Sequence, residues 1–330
     1  MKQFLQKKAK LVFLCMLVLL TCTACANPRG RDGKTRADQI IASEETTIDE
    51  SQINVSDITD KAVKKEIKSQ IKDGKITIEA TTFKSAMSNG WFDGLIVWPI
   101  AQIINLIASK TDAGVGIILT TLLIQMLVFV FTRKSQMSTQ RMQEIQPELQ
   151  RIQDKYKDKT DDRSKMLMYQ ETQKLYEKYD IHPFGSMLIT FIQLPIMMGM
   201  YYATMRAVSV VNGAFLGVSL SGTPIDGFKT LNFAYITIYV LMVIFYIVSM
   251  KLPQWLKKWQ DKKDHVKVKK YAQPEANPMA NSMNMTMYFT TALICIMYIS
   301  WPMAMSFYWL VSSVIRVAQS IILHQVMNKK

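Results

Sequence analysis

Charged residues are absent from four long stretches of the chain, 113–132, 183–205, 230–250 and 276–315. The last of these runs for forty residues. A hydrocarbon core of ~30 Å is crossed by about 20 apolar residues in a helix. The first three runs therefore each predict one span, and the fourth, too long for a single crossing, predicts two divided at Trp301-Pro302. The predicted spans are 113–132, 183–207, 231–250, 283–300 and 303–323. The fold class that follows is an all-α polytopic membrane protein with five transmembrane helices.

The polar stretches between the spans have patterns of their own. In 133–182, Met142, Ile145, Leu149, Ile152 and Tyr156 recur at three and four residues, and Met168, Thr172, Leu175 and Tyr179 repeat the pattern after a charged turn. Such a seam predicts two helices folded back on each other, with Pro147 starting a turn or kinking the first. Residues 91–110 place Trp98, Gln102, Asn105 and Ser109 on one face of an otherwise apolar helix, which predicts an amphipathic helix lying at the outer interface. Residues 25–90 are polar and mixed in charge and predict an extracytoplasmic tether, with one modest helix possible over 60–78. Residues 208–230 read as an outer loop, 251–282 as a basic loop and 324–330 as a short tail.

The N-terminus changes the picture of how the chain starts. Lys2, Lys7, Lys8 and Lys10 precede a short apolar run, the order of a secretory signal. The run ends Thr21-Cys22-Thr23-Ala24-Cys25, similar to a bacterial lipobox, which makes 1–24 a cleaved lipoprotein signal and Cys25 a lipidated N-terminus. The other reading is an uncleaved anchor helix. With Cys15, Cys22 and Cys25 in the signal and Cys295 alone in a span, no disulfide framework or metal spacing is present.

Charge then fixes topology. The chain carries 40 Lys+Arg against 26 Asp+Glu, a formal +14. The stretch 133–182 has eleven Lys/Arg, 251–278 has eight and 208–229 has one. Cytoplasmic loops hold the excess of Lys/Arg. Spans one, three and five must therefore run outside to inside, with the mature N-terminus outside and the C-terminus in the cytoplasm. A lipid on Cys25 demands the same.

Gln125, Gln193 and Arg316 fall at similar depth, each ~10–14 Å from the cytoplasmic end at 1.5 Å per residue. A hydrated groove would need such a layer. Interhelical bonding by Gln193, or an Arg316 side chain reaching the headgroups, would explain them separately. Arg206 reads as an interface anchor at the outer end of span two. Met197, Met198 and Met200 belong to a chain with 23 methionines, whose adaptable thioethers suit either a slide for varied apolar helices or span packing. The three histidines sit at or beyond span ends, with no HExxH, no Ser/His/Asp set and no phosphate loop, so no enzyme chemistry is expected.

Four stretches together resemble the YidC/Oxa/Albino insertase family. They are GWFDGLIVWPIAQIINLIA (90–108), QRMQEIQPELQRIQDKY (140–156), YQETQKLYEKYDIHPFGSMLITFIQLPIMMGMYYA (169–203) and MNMTMYF with FYWLVSSVIRVAQ (283–319). The lipoprotein signal and five mature spans look like the Gram-positive form. The resemblance implies a membrane protein insertase and chaperone. It would insert nascent membrane proteins through a groove open to cytoplasm and lipid, alone or with the Sec translocon, without nucleotide or cofactor. It implies weak ribosome contact through the cytoplasmic loops, with ribosomal RNA the one nucleic acid met, and contact with membrane lipids. Phe307, Tyr308 and Trp309 match family aromatics near the outer hairpin, where Phe307 would join the slide or all three would anchor the aromatic belt. The family pattern places an arginine where this chain reads Ile124-Gln125-Met126-Leu127, and Arg316 is the candidate to supply that charge. A transporter or channel subunit, or a lipid-anchored membrane scaffold, are the alternatives. The first would want carboxylates inside the spans, which hold none.

Overall fold

The computed structural model describes residues 28–157, 159, 161–181, 184–263, 289 and 291–328. The signal, Cys25, most of the basic loop and the start of the fourth predicted span, with Met283, Met285 and Met287, lie outside them. The chain divides into two compact units, one of Met1–Thr120, Leu194–Gly222 and Pro302–Met305, the other of Thr121–Gln193, Thr223–Trp301 and Ser306–Lys330.

In the first unit, the stretch expected to be a tether is folded. It carries β1 (Thr35–Arg36), β2 (Thr46–Asp49), β3 (Ile53–Asn54), α1 (Lys61–Gln70), β4 (Lys75–Ile78) and α2 (Phe83–Ser88). β1 pairs in parallel with β3, and β2 pairs antiparallel with β4 in the register Ile48↔Ile76. Asp60 caps α1 by accepting from the amides of Ala62 and Val63. Ile40, Ile48, Ile53, Val55, Ile58 and Ile76 form a core that Val208 and Val211 complete from far along the chain. The correction has a clear cause. The apolar residues are isolated along 28–90, too few to close a core unaided.

The helix expected at the interface is α3 (Trp98–Ala108), entered through a wider turn at Asp93–Val97 and started by Pro99 in its first turn. Its polar face is covered by the folded N-terminal segment. Trp98 Nε1 donates to the Thr81 carbonyl (2.8 Å), Gln102 to those of Ala42 (3.1 Å) and Thr81 (3.3 Å), and Asn105 to that of Ile41 (2.8 Å). Asn105 Oδ1 also accepts from the amide and hydroxyl of Ser209. Leu95 and Leu106 remain exposed. α7 (Phe184–Arg206) ends in this unit. The carbonyls of its last turn, which lack helical donors, accept from the Thr35 hydroxyl at Met205 (2.7 Å) and the Ile41 amide at Arg206 (2.7 Å). Arg206 is not an interface anchor. It is 4% exposed, donates from Nε to the Gln39 carbonyl (2.7 Å) and pairs with Asp93 at 2.6 Å. The predicted outer loop begins with α8 (Val208–Val211) and the short pair β5 (Ala214–Phe215) and β6 (Val218–Ser219).

α4 (Ala113–Glu144) starts in the first unit and runs on into the second, twelve residues beyond the predicted span end at Thr132. Hydropathy marks where a helix leaves an apolar environment, not where it stops. The same holds for α10 (Phe233–Lys263), which continues through Pro253 past the point where a loop was expected at Lys251. Before it stands α9 (Pro224–Thr230), with a capping box between Thr223 and Asp226. Residues 291–298 form α11, and α12 spans Met303–Asn328. Among the described residues α4, α10 and α12 are long and apolar enough to cross a membrane.

α5 (Gln146–Lys155) and α6 (Asp162–Lys178) pack through Leu149 and Leu175 with Ile145 and Ile181. α4 breaks at Ile145, and Pro147 sits in the first turn of α5, where its missing N–H costs nothing. The Asp161 side chain accepts from the Ser164 amide and caps α6, and those hydrogen bonds hold its carboxyl below the usual range. Glu171 accepts from Lys155 (2.6 Å) and Tyr156 (2.9 Å), which lowers its carboxyl and raises the lysine.

Candidate functional site: a polar cavity among apolar helices

The second unit holds a cavity of about 170 Å³, with room for about six water molecules. α4 lines it with Gln125, Gln136, Thr139 and Gln140; α7 with Ile189 and Gln193; α10 with Ser249 and Pro253; α12 with Arg316, Gln319, Ser320 and Leu323. The three side chains singled out by depth, Gln125, Gln193 and Arg316, thus meet on one wall system. Most of the lining side chains end in an amide, hydroxyl or guanidinium, Val128, Ile189, Pro253 and Leu323 being the apolar ones, and the helices carry Leu122, Leu123, Val240, Leu241 and Ile244 uncovered. Polar groups in such helices need partners or water, since an unpaired one costs several kcal/mol in hydrocarbon.

Those partners are specific. Gln125 donates to the Ser312 hydroxyl (3.2 Å) and Gln193 to the Tyr308 hydroxyl (3.1 Å), so both amides are fixed from α12. Arg316 donates to Ser313 one turn back on its own helix (2.8 Å). Its guanidinium lies 6.0 Å from the ring centres of Tyr246 and Trp309. That separation is the outer limit of a cation–π contact. Trp309 in turn stacks on Tyr298 at 4.9 Å. No carboxylate among the described residues pairs with Arg316. A guanidinium has five N–H donors, so the cavity wall keeps donor capacity for an anionic visitor. Pro253 lacks the N–H that would bond the carbonyl of Ser249, four residues earlier and itself on the lining.

Other expected site residues fall elsewhere. Met200 and Phe307 are buried, at 0% and 3% exposure, so neither offers a contact surface; Met197 and Met198 are half-buried. Tyr308 and Trp309 are buried as well, which corrects their placement in an aromatic belt. They stand behind the lining, Tyr308 as the partner of Gln193 and Trp309 beside Arg316. Gln136, Gln140, Gln319 and Ser320 were not anticipated. They lie near or past the ends of the charge-free runs, where a glutamine carries no signal, and only the i, i+4 spacing of 136 and 140 hinted at a shared face. Among the described residues no cluster of three or more His, Cys, Asp or Glu could hold a metal ion.

A sequence model of the 60Kd inner membrane protein family matches residues 105–330. The membrane protein insertase YidC of Enterococcus faecalis is 30% identical over 240 residues, covering 73% of this chain and 77% of that protein. The membrane protein insertase MisCA of Bacillus subtilis is 27% identical over 241 residues, 72% and 81% of the two chains. YidC of Oceanobacillus iheyensis is 28% identical over 245 residues, 74% and 87%. The folded segment before residue 105 lies outside the family match, while the cavity lies wholly within it. With the match spanning more than half of its length, the chain belongs to the 60Kd inner membrane protein family, the YidC/Oxa family.

Proposed function

We propose that this chain is a membrane protein insertase of the cell membrane, whose polar cavity receives the hydrophilic flank of a nascent membrane protein while the adjoining apolar helix passes to lipid. One observation carries the reading: Gln125, Gln193 and Arg316, isolated polar groups in apolar helices, line a single cavity. A charged side chain at the bilayer centre costs ~2.5–3.5 kcal/mol on insertion scales. A watered cavity part-way through the membrane shortens the hydrocarbon that such a group must cross. Insertion makes and breaks no covalent bond, so the residues act by solvation and charge.

The full account has five spans, a cleaved signal with lipid on Cys25, an outside N-terminus and a cytoplasmic C-terminus. The α5–α6 pair is then a cytoplasmic hairpin beside the cavity. The Lys/Arg distribution supports this orientation. Arg316 supplies the attraction for acidic flanks that Gln125 cannot. Partners are nascent membrane proteins, the Sec translocon for larger substrates, the ribosome weakly, and membrane lipids.

A photo-crosslinker placed at Gln319 should capture the polar flank of a stalled nascent substrate, and one at exposed Lys68 should not. Equal capture at both positions, or none at Gln319, would remove the cavity from the insertion path.

A further inference from the structure

One turn of α4 holds two other elements at once. Gln140 and Glu144 are four residues apart on α4, and Ser320 and His324 are four apart on α12, so each pair sits on one helical face. Across these faces Gln140 Nε2 donates to the Ser320 carbonyl (3.2 Å), and His324 Nδ1 meets Glu144 Oε1 at 3.2 Å. A carboxylate has no proton to give, so the imidazole Nδ1–H is the donor. Gln140 Nε2 also reaches Glu144 Oε1 (3.3 Å), which joins the two rungs. The second rung is largely withdrawn from solvent, with side-chain exposures of 7% for His324 and 14% for Glu144.

The same turn carries Arg141, which donates to the Tyr179 carbonyl (3.1 Å) and reaches the Asp180 carboxylate at 3.5 Å, at the end of α6. The next residue after Glu144 is Ile145, where α4 breaks and α5 begins. Gln140 and Ser320 line the cavity, and Glu144 and His324 stand one turn beyond it. From α10, Lys257 is close enough for its charge to feel Glu144 and Tyr179, and it pairs with Asp261 at 3.2 Å.

We infer that the His324–Glu144 contact is a positioning element that locks the base of the α5–α6 pair to α12 at the mouth of the cavity. A carboxylate that is mostly withdrawn from solvent on the last turn before a break has little reason to be kept for stability alone, because an apolar pair of similar size would serve as well. Its value is directional. With the rung made, the last turn of α4, which Arg141 ties to the end of α6, is held against α12; with it open, that turn can part from α12 and carry α5 and α6 with it. The inference rests on the reading of the cavity as the substrate's entry, since only then does the angle of the pair govern delivery.

The test uses the full chain in liposomes, with His324→Ala, Glu144→Ala, the near-isosteric Glu144→Gln, and the exchanged pair Glu144→His with His324→Glu. Hydrogen exchange across 146–178 and insertion as a function of substrate concentration are both read. The alanine variants should exchange about tenfold faster in that segment, as expected for a local opening made easier by a broken buried contact. They should need about fivefold more substrate for half-maximal insertion with the maximal extent unchanged. Glu144→Gln should fall between, and the exchanged pair should restore both readouts. Unchanged exchange in the alanine variants, a loss in maximal extent alone, or an exchanged pair as defective as the single variants would each overturn the inference. If the unaltered protein inserts nothing, the insertase reading fails, and the exchange measurements still decide whether the lock exists.

Discussion

Gln193 on α7 donates its amide to the Tyr308 hydroxyl on α12 at 3.1 Å, on the wall of the polar cavity. Gln125 donates to Ser312, one turn further along α12, at 3.2 Å. Two amides from neighbouring helices are thus each held by a hydroxyl of α12. Tyr308→Phe should lower stability by about 1 kcal/mol, the worth of an average hydrogen bond, because cavity water can replace the lost partner for Gln193. Thermal unfolding in detergent reads this directly, and a loss several times larger would mean that the amides are not water-accessible.

Arg316 is the charge of the cavity. At an effective dielectric near 20, a unit charge ~10 Å away is attracted by roughly 1–2 kcal/mol, or about tenfold in occupancy. Arg316→Ala should reduce insertion of a substrate with an acidic flank by about that factor while sparing a neutral flank, and Arg316→Lys should keep most of the selectivity. The ratio of the two substrates inserted in one reaction measures it. Equal losses for both would assign Arg316 to packing.

Arg206 tests the outer anchorage. Its guanidinium is nearly closed to solvent and satisfied by Asp93 and the Gln39 carbonyl. Arg206→Ala strands a carboxylate and should destabilise by about 3 kcal/mol. Arg206→Lys should recover only part, since a single ammonium replaces a planar fork with several donors. Protease access to the segment 28–90, scored alongside unfolding, should rise in both.

The α5–α6 pair should depend on pH through Glu171. Lys155 and Tyr156 lower its carboxyl in the folded state. A lowered value contributes stability above the unfolded value, about 4.3, and loses it as pH falls through the folded one. Protection factors for hydrogen exchange in 146–178, each corrected for the intrinsic rate at its pH, should therefore fall below about pH 4, and Glu171→Gln should flatten that acid limb. Lys155 is raised, so its share is present at neutral pH and is lost only at strongly alkaline pH. Protection factors that do not change between pH 3 and 6, about the range a carboxylate titrates over, would contradict this.

The membrane helices were legible because charge-free runs are long and unambiguous. α4 and α10 start within a few residues of them, α12 starts where Trp301-Pro302 divides the longest, and all three run on past the apolar stretch as polar helices. The α5–α6 seam was legible from Met142, Ile145, Leu149 and Leu175, since a helical period survives in a polar stretch. The fold of 28–90 was not. Its core borrows Val208 and Val211, and its packing onto α3 uses backbone carbonyls, which leave no trace in side-chain pattern. The cavity was half legible. Depth picked out Gln125, Gln193 and Arg316, but the buried roles of Tyr308 and Trp309 depend on helix rotation, which a nearly continuous apolar run does not reveal.

The central claim is that this chain alone can carry a polar flank across a membrane. Purified protein in liposomes, offered a small single-span substrate with an acidic flank, should protect that flank from external protease well above protein-free liposomes. Arg316→Ala should abolish most of the protection for the acidic flank. Protection no greater than in protein-free liposomes, with a working insertase in parallel, would contradict the account.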